Sequence, residues 1–175
     1  MGLRVATKAE SMGVCFITGD GYREFLEPYL ERGKIEGDIV DMEGNPVARH
    51  RGIASFTIGQ RRGLGFAKGK PMYVVGIDAE RNEVRVGEEK DLYSNALTAQ
   101  NLSWVSEPPE GEIEVRSKIR YRHGAVPSRV TVSDDGKATV NFPEPQKAVT
   151  PGQAIVFYRN ETVVGGGWIK EAHMQ

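Results

Sequence analysis

Turn signals cut the second half of the chain into pieces too short for long helices. Pro108-Pro109, Asp134-Asp135-Gly136 and Thr150-Pro151-Gly152 separate segments near 96–105, 112–122, 126–133, 137–142, 153–158 and 162–169. These segments alternate apolar and polar residues or carry β-branched ones, the pattern of a strand with one buried face. Proline and Asp/Gly clusters reverse the backbone between them. Six short strands within about 75 residues predict a small antiparallel β-barrel, because closure removes exposed strand edges.

Upstream the pattern is mixed. In "GDGYREFLEPYLERG" (19–33), Tyr22, Phe25, Leu26, Tyr29 and Leu30 fall on one helical face. Asp20 is a candidate N-cap and Gly33 a candidate C-cap, but Pro28 removes a helical hydrogen bond, so a short helix kinked or restarted there is expected. "GDIVDMEGNPVARH" predicts two extended stretches around Glu43-Gly44-Asn45-Pro46, and "SFTIGQ" a short strand. "PMYVVGIDAERNEVRVGEE" predicts a hairpin turning at Asp78–Asn82. The fold class is therefore mainly β (α+β). A small mixed central domain with a short helix, residues 1–92, precedes a C-terminal antiparallel β-barrel, residues 93–175.

Charge and cysteine content narrow the function classes. The net charge of -1, from 23 Lys+Arg and 24 Asp+Glu, points to no partner by itself, so the placement of charges matters more. No run of 18 apolar residues is present, and MGLRVATKAE has no apolar signal core, so a cytoplasmic chain with no membrane contact is expected. One cysteine excludes an internal disulfide framework and a multi-cysteine zinc site. His50 and His123 each lie beside arginine with no ligand-like spacing, so no metal is assigned.

Three patterns could carry chemistry. In "EVRSKIRYRH" (114–123), Arg116, Lys118, Arg120 and Arg122 occupy every second residue and so project from one face of a strand. Val115, Ile119 and Tyr121 would then point into a core. Such a row suits a polyanion laid along it, or else a solvated face balanced by acids on a neighbouring strand. "RHRGIASFTIGQRRGLGFAKGK" (49–70) joins Gly59, Gly63, Gly65 and Gly69 to Arg61, Arg62, Lys68 and Lys70. Its glycines permit close backbone approach to a ligand, yet it is neither a P-loop nor a dinucleotide fingerprint, and a tight loop bordering a strand reads equally well. Cys15, in "ESMGVCFITG", is either a buried filler or a thiol with access and nearby cations.

A family resemblance bears on these choices. "VATKAESMGVCFI", "FLEPYL", "GxIVDxxGxxxxxHxG" (37–52), "FTIGQRRGLG", "KIRYRH" and "VTPGQAIVFYRNETVVGGGWI" occur in an order that resembles bacterial tRNA-specific 2-thiouridylases over nearly the whole chain. The family's N-terminal PP-loop domain, S-G-G-x-D-S-S, and its first catalytic cysteine have no counterpart here, so the resemblance implies a C-terminal half. It implies sulfur transfer to the wobble uridine of tRNA. ATP, with magnesium, adenylates the uracil oxygen in the full-length enzyme, while this part needs no cofactor of its own. Cys15 matches the second catalytic cysteine, which carries a persulfide received from a sulfur-carrier protein. Its outer sulfur attacks directly, or leaves as hydrosulfide when the first cysteine forms a disulfide with Cys15. The resemblance further implies tRNA contacts at Arg120, Tyr121 and Gln153. Arg61, Arg62, Arg116, Lys118 and Arg122 are additional candidate RNA contacts. The competing readings are a stand-alone RNA-binding protein with an inert cysteine and, lower in rank, a redox sensor.

Overall fold

The structure, a computed structural model, describes residues 36–66, 69–121 and 123–174. The expected helix around residues 20–33, Cys15, Lys68 and Arg122 lie outside the described residues. Two bodies of sheet follow one another. The first comprises β1 (Gly37–Val40), β2 (Pro46–His50), β3 (Tyr73–Asp78) and β4 (Glu83–Gly87), in the order β2-β1-β4-β3. It is mixed: β1 runs parallel to β4, and the other pairs are antiparallel. The second is a closed antiparallel barrel of β5 (Tyr93–Trp104), β6 (Glu112–Lys118), β7 (Val126–Val132), β8 (Ala138–Lys147), β9 (Ala154–Arg159) and β10 (Thr162–Met174). Its order is β10-β5-β8-β7-β6-β9, with β9 returning to β10.

Turn chemistry fixes the small sheet. Asp41 Oδ1 accepts from the amides of Glu43 and Asn45 between β1 and β2, and Pro46 begins the edge strand β2, where its missing N–H is tolerated. Asp78 Oδ1 accepts from the amides of Glu80 and Arg81, both at 3.0 Å, which closes the expected β3–β4 turn. Ile39, Val74, Val84 and Val86 form its fully buried floor. His50 is also buried. Its Nδ1 accepts the Gly52 amide at 3.0 Å, which leaves the proton on Nε2 to donate to the Asn82 carbonyl at 3.1 Å. The ring is thus a neutral structural bridge across the sheet.

"SFTIGQ" is not a strand. Ile53–Ser55 form a 3-10 turn, and the Gln60 amide donates back to the Thr57 carbonyl. Gly59 has a φ of 90°, outside extended geometry, and only Gly59 and Gln60 exchange backbone bonds with Val74 of β3.

Inward residues of the barrel strands alternate as the sequence indicates. Leu97, Val115, Ile119, Val130, Val140, Ile155, Phe157 and Ile169 make one core, each large side chain contributing roughly 1.5–3 kcal/mol of transfer free energy. Trp104 stacks on Phe157 with ring centroids 5.5 Å apart, and Gly165, paired with both, leaves room for that ring, since a Cβ there would run into it. Strand β8 is longer than the expected 137–142. It passes through Pro143 and Pro145 because its register against β5 jumps from Asn141 to Gln146, leaving the two prolines in a bulge where no ladder donor is needed. Strand β6 is shorter than the expected 112–122. It stops at Lys118, and the His123 amide donates to the Arg120 carbonyl at 3.2 Å, so the chain reverses there before β7.

A candidate nucleic-acid interface at one end of the barrel

The early end of β6 breaks the basic row. Arg116 and Lys118 project from the outer face of the strand, opposite the inward Val115, Ser117 and Ile119. Arg120 does not join them. Its guanidinium is half-buried and its Nη2 donates to the carbonyl of Lys147 at the end of β8. Tyr121 was expected in the core, but beyond the strand end it turns outward and is 64% exposed. Once alternation ceases, Tyr121 joins Lys118: the Lys118 ammonium lies 5.6 Å from its ring centroid.

Gln153 lies at this same end. Lys118 pairs with Val156 on β9 as the last β6–β9 pair, so Tyr121 and Gln153 both lie beyond that pair at the same end of the barrel. The exposed Gln153 is held by its backbone: its amide donates to Thr150 at 3.3 Å and its carbonyl accepts from Ile169 at 2.8 Å. The next residue, Ala154, pairs with Trp168, which is 52% exposed. Trp168 was not a sequence candidate. The signal was available in its place one residue before the inward Ile169 of β10, which sends a large aromatic to solvent. Tyr121 and Trp168 thus give this end two exposed rings, with Lys118 and Gln153 beside them. Stacking surfaces next to cations are the elements with which proteins hold unpaired bases and phosphates.

Arg61 and Arg62 lie in the loop at the junction between sheet and barrel, which meets the barrel at this same end, where Tyr93 at the start of β5 pairs with Lys147. Their loop is stapled by Gln60, whose Oε1 accepts the Thr57 amide and whose Nε2 donates to the Arg62 carbonyl, leaving both arginines exposed. A Cβ at Gly59 would lie 3.4 Å from Ala148 Cβ, so this loop sits against the end of β8. There Lys147 pairs with Glu89 and lies within 6 Å of the rings of Tyr73 and Tyr93. Lys147 holds the Glu89 carboxyl below the ordinary carboxylate range, with a smaller contribution from Arg61, and Glu89 in turn raises Lys147. Arg120 closes this knot from the barrel side. Of the expected contacts, Tyr121, Gln153 and Lys118 share one end, Arg116 lies further along β6, Arg120 is bound to the Lys147 carbonyl, and Arg61 and Arg62 lie in the junction loop.

No group of three or more His, Cys, Asp or Glu that could hold a metal ion occurs among the described residues. The glycine-rich loop also lacks phosphate-binding spacing, so these residues do not fit a magnesium–nucleotide site. No described helix is long and apolar enough to cross a membrane.

Comparison with known proteins agrees with both sheets. Residues 23–88 match the tRNA methyl transferase PRC-barrel domain, and residues 94–169 match the aminomethyltransferase beta-barrel domain. The tRNA-specific 2-thiouridylase MnmA of Geotalea uraniireducens is 49% identical over 173 residues, covering 98% of this chain and 46% of the relative. Its namesake from Geobacter metallireducens is 48% identical over 171 residues, again 98% of this chain and 46% of the relative. The chain belongs to the tRNA-specific 2-thiouridylase family. It spans about half the length of the curated relatives it matches.

Proposed function

We propose that this chain is the tRNA-gripping and sulfur-carrying part of a 2-thiouridylase acting on the wobble uridine of tRNA. Residues 93–175 bind the RNA through Tyr121, Gln153, Lys118 and Trp168. Residues 1–92 carry Cys15, the persulfide cysteine. A sulfur-carrier protein loads it, and the remainder of the longer relatives supplies ATP-dependent activation of the uridine, so this chain alone makes no 2-thiouridine. In the hydrosulfide route a second thiolate attacks the Cys15 sulfur, a disulfide forms, and the outer sulfur leaves as hydrosulfide to replace the activated oxygen. The observation that carries the RNA reading is the pair of outward rings at one barrel end, the end that also carries Gln153 and Lys118.

The test is tRNA binding by the chain, titrated at several salt concentrations. Tyr121→Ala and Trp168→Ala each remove a stacking surface worth about 1–3 kcal/mol, so affinity should fall by roughly five-fold or more for each. The salt slope should persist, because no charge is lost. Unaltered affinity in both variants would sink the assignment. In the longer enzyme, Cys15→Ser should abolish 2-thiouridine formation with tRNA binding retained.

A further inference from the structure

The outer wall of the barrel has a second concavity, away from the Tyr121 end. The neighbouring strands β9, β6, β7 and β8 line a groove of about 640 Å³. An outer barrel face is ordinarily convex. Here two lips rise from it. Strand β8 parts from β7 after Asn141, so Val126–Ser128 of β7 have no β8 partner, and the Pro143–Pro145 bulge stands beside the gap. On the other side the β9–β10 hairpin turns at Asn160, whose φ is 56°.

Cross-strand register orders the lining. Tyr158 faces Arg116, which faces Pro127; one step away, Glu114 faces Arg129, which faces Asn141. The charges are not equivalent. Arg129 is occupied by Glu112 and Glu114, and Arg116 Nη2 is anchored on the Ala125 carbonyl. Arg159 at the lip is exposed and has no ion-pair partner among the described residues. The groove therefore combines an aromatic ring and proline faces with side-chain amides and an uncompensated guanidinium. A free phosphate would use only the last of these. A base joined to a phosphate uses all of them: a flat apolar surface, amide groups for a base edge, and a cationic fork for the backbone.

We propose that this groove holds an unpaired nucleotide of the RNA substrate, its base against Tyr158 and Pro127 and its phosphate at Arg159. The proposal rests on the RNA-binding reading above and adds a second contact to it. Arg116 and Lys118 lie on one outer row of β6, and the five residue steps from Gln153 to Tyr158 span about 17 Å, so one strand of RNA can touch both places.

The experiment measures binding of an unmodified tRNA transcript and of a fully paired RNA duplex to the 175-residue chain and its variants. Arg159→Ala should weaken tRNA binding three- to ten-fold and lower the slope of log K against log salt by about 0.7, with duplex binding unchanged. Tyr158→Leu should weaken tRNA binding with no change in slope. If Tyr158→Leu does not fold, Arg159→Ala decides alone. Equal losses for tRNA and duplex would make Arg159 a general phosphate contact and overturn the nucleotide site. Parental affinity in both groove variants, with Tyr121→Ala still impaired, would overturn the groove and leave the barrel-end interface standing. No effect from any of the three substitutions, or no tRNA binding at all, would remove the functional reading and this proposal with it.

Discussion

Replacing Arg120 with alanine separates two roles that its position in "KIRYRH" leaves confounded. In the structure its guanidinium donates to the Lys147 carbonyl, and its Nε is buried without a partner. A hydrogen bond from a charged group contributes about 1.5–3 kcal/mol. Removing the unpaired Nε offsets part of the loss, so the lower end, about 1.5 kcal/mol, is expected. With a urea m-value of about 1–3 kcal/mol/M, the unfolding midpoint should fall by roughly 0.5–1.5 M. The chain's two tryptophans both lie in the barrel, and in a Trp168→Phe background the stacked Trp104 reports barrel unfolding alone. Lys118→Ala should do the reverse: little change in midpoint, and a tRNA salt slope lower by about 0.7–0.9. If Arg120→Ala keeps the parental midpoint and lowers the slope by one charge, the guanidinium faces RNA and the junction argument is wrong.

Two further perturbations follow from buried and exposed hydrogen bonds. Ser117 and Ser128 share a buried bond of 2.6 Å, and Ser128 also reaches the Val115 carbonyl at 3.4 Å. Ser128→Ala strands the fully buried Ser117 hydroxyl and should cost about 1–3 kcal/mol, whereas Ser117→Ala should cost about 0.5–1.5 kcal/mol; equal urea midpoints for the two would contradict this asymmetry. Asp135 is lowered from 3.8 to about 2, chiefly by its hydrogen bond to Lys137 and then by that from Ser133. A depressed carboxyl stabilises the fold above its unfolded pKa and loses that contribution as pH falls through the folded value. The β7–β8 turn should therefore loosen between about pH 4 and pH 2, followed by the Gly136 amide resonance, and Asp135→Asn should flatten that response.

The barrel was legible because its strands alternate and its turns carry proline, glycine and aspartate, which are local signals. Strand ends were less legible. The break after Lys118 depends on the turn bond between Arg120 and His123, and the run of β8 through two prolines depends on a bulge set by β5. Both are tertiary facts with no periodic signature. The same limit governs the site. Alternation correctly aimed Arg116 and Lys118 outward, then placed Tyr121 in the core because it assumed an unbroken strand. Only the pairing of β6 with β9 shows that Tyr121 and Gln153 lie at one barrel end, and only pairing across β10 adds Trp168. "SFTIGQ" read as a strand because its apolar residues are real core contacts, yet Gly59 bends the backbone away from extended geometry.

The last barrel strand to be made closes against the first. Strand β10 lies between β5 and β9, and its pairing with β5 extends to Met174 and Ser94. During synthesis, β5 must therefore leave the ribosome with one edge unsatisfied and wait for most of the following chain. At about 5–20 residues per second that interval lasts several seconds, far longer than a β-hairpin takes to form. The β3–β4 hairpin can form early, while a nascent barrel is an open sheet exposing the edge of a 12-residue strand. Mutations that leave the finished barrel intact but slow the arrival or docking of β10 would then show themselves as poor yield rather than as low stability.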